Sequence, residues 1–311
     1  NGAVMKIMVM AAGAVGGYFG SIMAKTHDVL LIARGEHLHR IQENGLQVRS
    51  ITSGDFSSRV LAADTPPAHY VPDVILYCVK AYHNEEACAV ITPTVGSQTT
   101  ILSLQNGIGC GDFLSSHFGK DKVLLGAAYI EASRSEPGVV QEHGGACRIA
   151  LGDQSGNLTD RAVRVGNLLK ECNIDHHLSE DIMSDIWQKL VFISALSGMS
   201  CITRSRLEEV LDNEALNKMT MAVMRETSAA GTASGVVLPS DIVETTMAEL
   251  QKHKSELVSS MYLDLMAGRP LEVDVINGAV SAIGSRFGVS TPANDFISAC
   301  LSLADKRARN K

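Results

Sequence analysis

The residues Ala11-Ala12-Gly13-Ala14-Val15-Gly16-Gly17 are of the types that let a backbone close on a phosphate. They follow the apolar run Lys6–Met10 and lead into the helical run Tyr18–Lys25, the strand–turn–helix setting that a dinucleotide fingerprint requires. In that setting Gly13 lets the backbone approach a pyrophosphate, and Gly16 lets helix and strand pack closely. The helix start at Ala14 and Val15 offers amide donors and a positive dipole end. Ala11 stands where the first glycine of G-x-G-x-x-G is expected, so the tight turn carries an extra methyl group. The plainer alternative is a structural glycine-rich turn.

The end of the second strand selects the cofactor. An NAD site usually carries an acidic residue there for the ribose 2′-hydroxyl. This chain reads Leu31-Ile32-Ala33-Arg34-Gly35, which sets a guanidinium where a 2′-phosphate would sit and no carboxylate at that position. NADPH is the expected cofactor; the alternative is an ordinary surface arginine. Further along, Asn106 follows the strand candidate Thr100–Leu104 in a loop next to Gly107, at the edge where ligands bind in open α/β folds. Lys80 follows another strand candidate, and Lys189 follows Trp187 on a helix; alone, either would be an ordinary polar residue.

The elements that would position these residues alternate in the first half. Strand candidates are Lys6–Met10, Asp28–Ile32, Val74–Val79, Thr100–Leu104 and Val123–Ala127, with crossover helices at Val15–Lys25 and Asn84–Ile91. That rhythm predicts βαβ units and a parallel sheet. The patch Gly138–Leu151 reads as one or two antiparallel strands closing the sheet. After Leu178 the texture turns helical, with apolar residues at three- and four-residue spacing such as Ile182, Ile186, Leu190 and Ile193. The fold class is therefore α/β, an N-terminal Rossmann-type domain over 1–178 and an all-helical domain over 179–311.

Composition is that of an ordinary soluble globular chain: 311 residues, 45% hydrophobic and 20% charged. A formal net charge of −7 with no Lys/Arg block disfavours a nucleic-acid or anionic-membrane partner. The seven cysteines form no C-x-x-C pair, so reduced thiols are expected and no metal site is read from them. Asn1-Gly2-Ala3-Val4 lacks the basic region and cleavage site of a signal peptide, and no apolar run reaches membrane-span length, which makes the cytoplasm the expected location.

The order of the turn, Ile32-Ala33-Arg34, Val79-Lys80-Ala81-Tyr82, Gln105-Asn106-Gly107, Trp187-Gln188-Lys189-Leu190, Ser259-Ser260-Met261 and Glu272-Val273-Asp274-Val275-Ile276-Asn277-Gly278 resembles the ketopantoate reductase family over nearly the whole chain. The resemblance implies NADPH-dependent reduction of a 2-oxo acid, 2-dehydropantoate (ketopantoate) to pantoate in pantothenate biosynthesis, by a homodimer. It implies Lys189 as general acid, because a ketone taking up hydride needs a proton donor for the developing alkoxide. It also implies Glu272 holding the lysine and the ligands, Asn106 touching substrate and nicotinamide, Ser260 reaching the substrate carboxylate, and Lys80 near the cofactor or the substrate carboxylate.

Three positions depart from the family pattern. Ile193 and Ser197 stand four and eight residues after Lys189, where the family has asparagines that bind substrate hydroxyls, and Leu257 replaces a third. Each lost partner to a buried hydroxyl costs about 1–3 kcal/mol, which falls on recognition of a hydroxylated side chain and not on proton and hydride chemistry. Two alternatives stay open: the same reaction on a more apolar 2-oxo acid, and a catalytically silent NADP-binding regulatory protein. Lys189 and Glu272 together argue against the latter, since a binding module needs neither. Polyol or sugar-phosphate dehydrogenases share the general plan but not this set of motifs.

Overall fold

A computed structural model describes residues 3–310, leaving Asn1 and Gly2 of the Asn1–Val4 segment and Lys311 outside the description. The chain separates into two compact units. One runs to Gln105 and resumes over Cys110–Ile182; the other takes Asn106–Gly109 and everything from Met183 onward. The change at Ile182 comes shortly after the expected boundary, and the exchange of a tetrapeptide was not anticipated from the sequence.

The first unit is built on one sheet. Its strands are β1 (Lys6–Met10), β2 (Asp28–Ile32), β3 (Leu46–Ser50), β4 (Phe56–Ser58), β5 (Leu61–Ala63), β6 (Val74–Tyr77), β7 (Thr100–Ser103), β8 (Val123–Glu136), β9 (Val139–Gly152) and β10 (Asp175–Leu178). They lie in the order β4-β3-β9-β8-β7-β6-β1-β2-β5, with β10 also paired to β9. Strands β5, β2, β1, β6, β7 and β8 are mutually parallel, so their carboxyl ends share one edge. Chain order reverses direction between β1 and β6, which makes their carboxyl ends the switch point where open α/β sheets bind ligands. Residues Ile7–Met10 and Val29–Ile32 are buried on both faces, which is why both strands read as unbroken apolar runs.

The patch read as closing the sheet does not close it. β9 is a single strand of 14 residues, antiparallel to an equally long β8, and β3 pairs with its far side. Gly144 and Gly145, with φ of 90° and 80°, absorb a register shift within the ladder instead of ending the strand.

Helices α1 (Ala14–Met23), α2 (Gly35–Asn44), α3 (Asn84–Ile91), α4 (Cys110–Phe118) and α5 (Asp160–Glu171) complete the first unit. Helix α1 lies close against the sheet through its glycines. A methyl at Gly20 would come within 2.8 Å of Val9 and 3.0 Å of Leu31, and one at Gly17 within 2.9 Å of Val140.

The second unit is helical: α6 (Ile182–Thr203), α7 (Leu207–Asp212), α8 (Glu214–Ala233), α9 (Ile242–Lys252), α10 (Ser260–Met266), α11 (Asn277–Phe287) and α12 (Pro292–Arg309). Helix α6 is long and apolar enough to cross a membrane, and 61% of that stretch is buried inside the protein. Its anchor is Trp187, 1% exposed, seated on Gly231 of α8, where any side chain would meet the indole at 2.7 Å. A buried polar chain joins the other helices. Asn277 Nδ2 donates to the Ser194 carbonyl at 3.1 Å and to Asn294 Oδ1 at 2.9 Å, while Glu226 accepts from the amides of Ala293 and Asn294 at 2.9 Å each. A carboxylate at the N-terminus of α12 opposes the positive end of that helix.

Candidate active site

The first unit presents its functional residues along the carboxyl edge of the parallel strands. Ala11, directly after β1, has φ of +73°, the left-handed conformation that glycine adopts freely and alanine only at a cost. The missing fingerprint glycine is thus a real conformational demand that this chain meets with a methyl group. Gly13 faces open space, with no atom within 4 Å of where its Cβ would be. Gly16 is the opposite case: a Cβ there would collide with the Ala11 carbonyl oxygen and lie 2.8 Å from Val9. The first helical bond runs from Gly17 N–H to the Gly13 carbonyl at 2.8 Å, so the amides of Ala14, Val15 and Gly16 precede the helical ladder. Open space at Gly13 beside these donors fits a pyrophosphate.

The turn is held from behind by His37, which the sequence reading passed over. Its Nδ1 accepts from the Gly138 amide at 2.9 Å, which leaves the proton on Nε2 to donate to the Ala12 carbonyl at 2.7 Å. Burial is the main cause of a lowered pKa for His37, opposed by the Ala12 carbonyl and reinforced by Arg134. The neutral ring therefore ties the glycine-rich turn to the start of β9.

Arg34 lies beyond β2 as the residue before α2, with its side chain half exposed. The end of β2 itself carries no carboxylate, but one arrives from elsewhere: Glu86, from the first turn of α3, brings its Oε1 to 2.8 Å from Arg34 Nη1. No sequence pattern could have paired two residues on different elements. Lys80, beyond β6, is partly buried and caps a short turn, its carbonyl accepting from the His83 amide at 2.8 Å. The loop that carries it is pinned by Gln105, whose Nε2 donates to the Val79 carbonyl at 2.8 Å and to Asn84 Oδ1 at 2.7 Å.

In the second unit, Lys189 on α6 donates from Nζ to Asn106 Oδ1 at 2.8 Å. Asn106 belongs to the tetrapeptide 106–109, which is fastened to the turn after Glu272: the Ile108 amide donates to the Val275 carbonyl at 2.9 Å. Gly107, at φ of +85°, lies so close to that carbonyl that no Cβ fits. Glu272 is 5% exposed, and its carboxylate favours the charged form of Lys189. Burial works more strongly in the other direction, and the lysine pKa is pushed down to about 8. The Leu271 amide donates to Asp305 Oδ1 at 2.7 Å, which fixes the backbone leading into Glu272.

The specificity positions sort differently. Ile193 is partly buried against the helical core, and so is Leu257. Ser197 is buried and accepts from Ser259 Oγ at 2.8 Å. Ser259 also accepts from the Tyr262 amide at 3.3 Å, capping α10. Ser260, the serine matched by resemblance, is exposed at the start of that helix, so it is Ser259 that is turned toward α6.

Comparison with known proteins gives one family. The model described as ketopantoate reductase PanE/ApbA matches residues 7–156, and the model of its C-terminal part matches residues 181–305. A 2-dehydropantoate 2-reductase of Pyrococcus abyssi is 30% identical over 93% of this chain and 94% of its own length. The crystal structure of 2-dehydropantoate 2-reductase from Geobacter metallireducens superposes with a TM-score of 0.90 at 29% identity, covering 96% of this chain and all of that one. A ternary structure of D-mandelate dehydrogenase with NADH and anilino(oxo)acetate superposes with a TM-score of 0.89 at 25% identity, covering 98% and 99%.

Proposed function

The chain belongs to the ketopantoate reductase family and is an oxidoreductase of that type, and from this premise we propose that it reduces ketopantoate to pantoate with NADPH. The observation that carries the chemistry is Lys189, a lysine with pKa near 8 that donates to an amide oxygen and feels the charge of the buried Glu272 carboxylate. Such an ammonium is charged at neutral pH yet gives up its proton far more readily than an exposed lysine. It both attracts the negative charge that builds on a ketone oxygen and supplies the proton that oxygen finally takes. Asn106 Oδ1 aims the amine, and Glu272 keeps it charged. The first unit supplies the nucleotide site: the amides of Ala14 to Gly16 and the open face of Gly13 for the pyrophosphate, Arg34 for a 2′-phosphate. The reduced nicotinamide supplies the hydride when bound.

A second reading keeps the reaction and changes the side chain of the acid. Ile193 and Leu257 offer no hydrogen bond to a substrate hydroxyl, and the hydroxyl of Ser197 is engaged by Ser259. The D-mandelate dehydrogenase superposed above was solved with an aromatic oxo acid lacking such a hydroxyl, which supports an apolar substrate. The deciding experiment measures NADPH oxidation against a panel of 2-oxo acids. Highest kcat/KM on ketopantoate supports the first reading and on a branched or aromatic 2-oxo acid the second; no turnover on any member refutes both. Cytoplasmic location and a homodimer are proposed on family grounds.

A further inference from the structure

We propose that Glu86 is a specificity-determining residue of the nucleotide site, setting how far the protein discriminates NADPH from NADH. The inference rests on the reading of Arg34 as the group that meets the 2′-phosphate, and it adds a second, opposing determinant. Arg34 Nη1 and Glu86 Oε1 are 2.8 Å apart, and both side chains are about half exposed. The other Glu86 oxygen lies 3.5 Å from His83 Nδ1. The remaining carboxylates nearest in sequence are otherwise placed: Glu36 pairs with Arg40 at 2.8 Å, and Glu85 occupies the first turn of α3 beside Glu86.

The two partners want different ligands. A guanidinium beyond the second strand accommodates a 2′-phosphate, whereas a carboxylate in that neighbourhood accepts hydrogen bonds from the ribose 2′-hydroxyl. Here both stand at one place, the guanidinium on the strand end and the carboxylate carried in from α3. Because the pair is exposed, it is cheap to open and does not block Arg34. Arginine presents five donors in a fork, so a phosphate can be bound while one nitrogen still faces Glu86. A phosphate so bound sits a few ångströms from a second anion and is repelled, while a ribose hydroxyl in the same place gains an acceptor. Glu86 therefore lowers the NADPH preference that Arg34 alone would produce and keeps NADH usable.

The test is the dissociation constant of NADPH and of NADH, measured by nicotinamide fluorescence on the intact protein and on Glu86→Gln, Glu86→Lys and Arg34→Ala. Glu86→Gln should tighten NADPH about three- to tenfold, the size of a screened repulsion between a phosphate and a carboxylate at this range. NADH should weaken or stay constant, and Glu86→Lys should widen the gap further. If Arg34→Ala weakens NADPH selectively but neither Glu86 variant moves the NADPH-to-NADH ratio by more than twofold, the proposal fails and the reading of Arg34 stands. If Arg34→Ala itself leaves the ratio unchanged, the reading beneath the proposal is wrong and both are overturned.

Discussion

Lys189 and Asn106, 83 residues apart in sequence, meet in a 2.8 Å hydrogen bond within one structural unit. The bond fixes where the ammonium points, while burial, opposed by the Glu272 charge, fixes how acidic it is. Placement and acidity are thereby controlled by different residues and can be altered separately.

Lys189→Ala should lower the rate of reduction by about 10²–10⁴-fold, the usual contribution of a general acid, with little change in the Kd for NADPH. Steady-state kinetics beside a cofactor titration separate the two; a variant with normal turnover would remove Lys189 from the mechanism.

In the intact protein, reduction should decline as pH rises through about 8, since the proton to be donated is lost there. The sign follows from the cation being the active form: a lowered lysine pKa brings the alkaline limb down from the ordinary value of 10.5. Asn106→Asp places a second carboxylate on the amine and should move that limb upward. A limb that stays put in this variant would show that another group titrates.

His37 predicts a stability effect of opposite sense. Its folded pKa is below the ordinary 6.5, so the folded state binds fewer protons than the unfolded one on acidification. Stability should therefore be full above about pH 6.5 and fall as pH drops below it. His37→Gln, which can still donate to Ala12 and accept from Gly138, should flatten that dependence in urea titrations run at several pH values. An equal acid slope in both proteins would assign the effect elsewhere.

Ala11→Gly should stabilise the fold by about 1 kcal/mol, because relief of a left-handed alanine outweighs the entropy of a new glycine. Gly16→Ala at the other end of the turn should do the reverse and weaken NADPH binding as well, since the obstructing atom is backbone. Thermal unfolding with and without cofactor reads both changes.

Ile193→Asn should shift preference toward ketopantoate over its deoxy analogue, by about 1–3 kcal/mol in the ratio of kcat/KM if the new amide reaches the hydroxyl. An unmodified protein that already prefers the hydroxylated acid would falsify the apolar reading and turn attention to Ser197 and Ser259.

Much of the sheet was legible in the sequence because burial on both faces writes it there. β1, β2 and α3 occupy the residues expected of them, since each is bounded by a turn or by a change of periodicity. β8 was read only to Ala127 and extends to Glu136, because beyond Ala128 its residues are half-exposed and its pairing with β9 supplies what composition lacks. The segment from Leu46 to Ala63, which forms three short strands, carries no apolar run long enough to announce them. Within the candidate site, Gly13 and Gly16 were readable because backbone geometry dictates them locally. His37, Glu86 and the Lys189–Asn106 bond were not, because each acquires its role from a partner that only tertiary structure brings near.

The tetrapeptide Asn106–Gly109 also sets a timetable. It leaves the ribosome well before Val275, the residue that receives its Ile108 amide, so at about 5–20 residues per second it waits roughly 10–30 s for its binding place to exist. During that interval most of the first unit is already synthesised and can fold around β7, leaving the tetrapeptide as a loop without its anchor. The helical unit is in this respect not an autonomous module. A fragment beginning at Met183 would carry Lys189 without the oxygen that aims it, and grafting this half onto another nucleotide-binding scaffold would have to bring the Asn-Gly-Ile-Gly loop along.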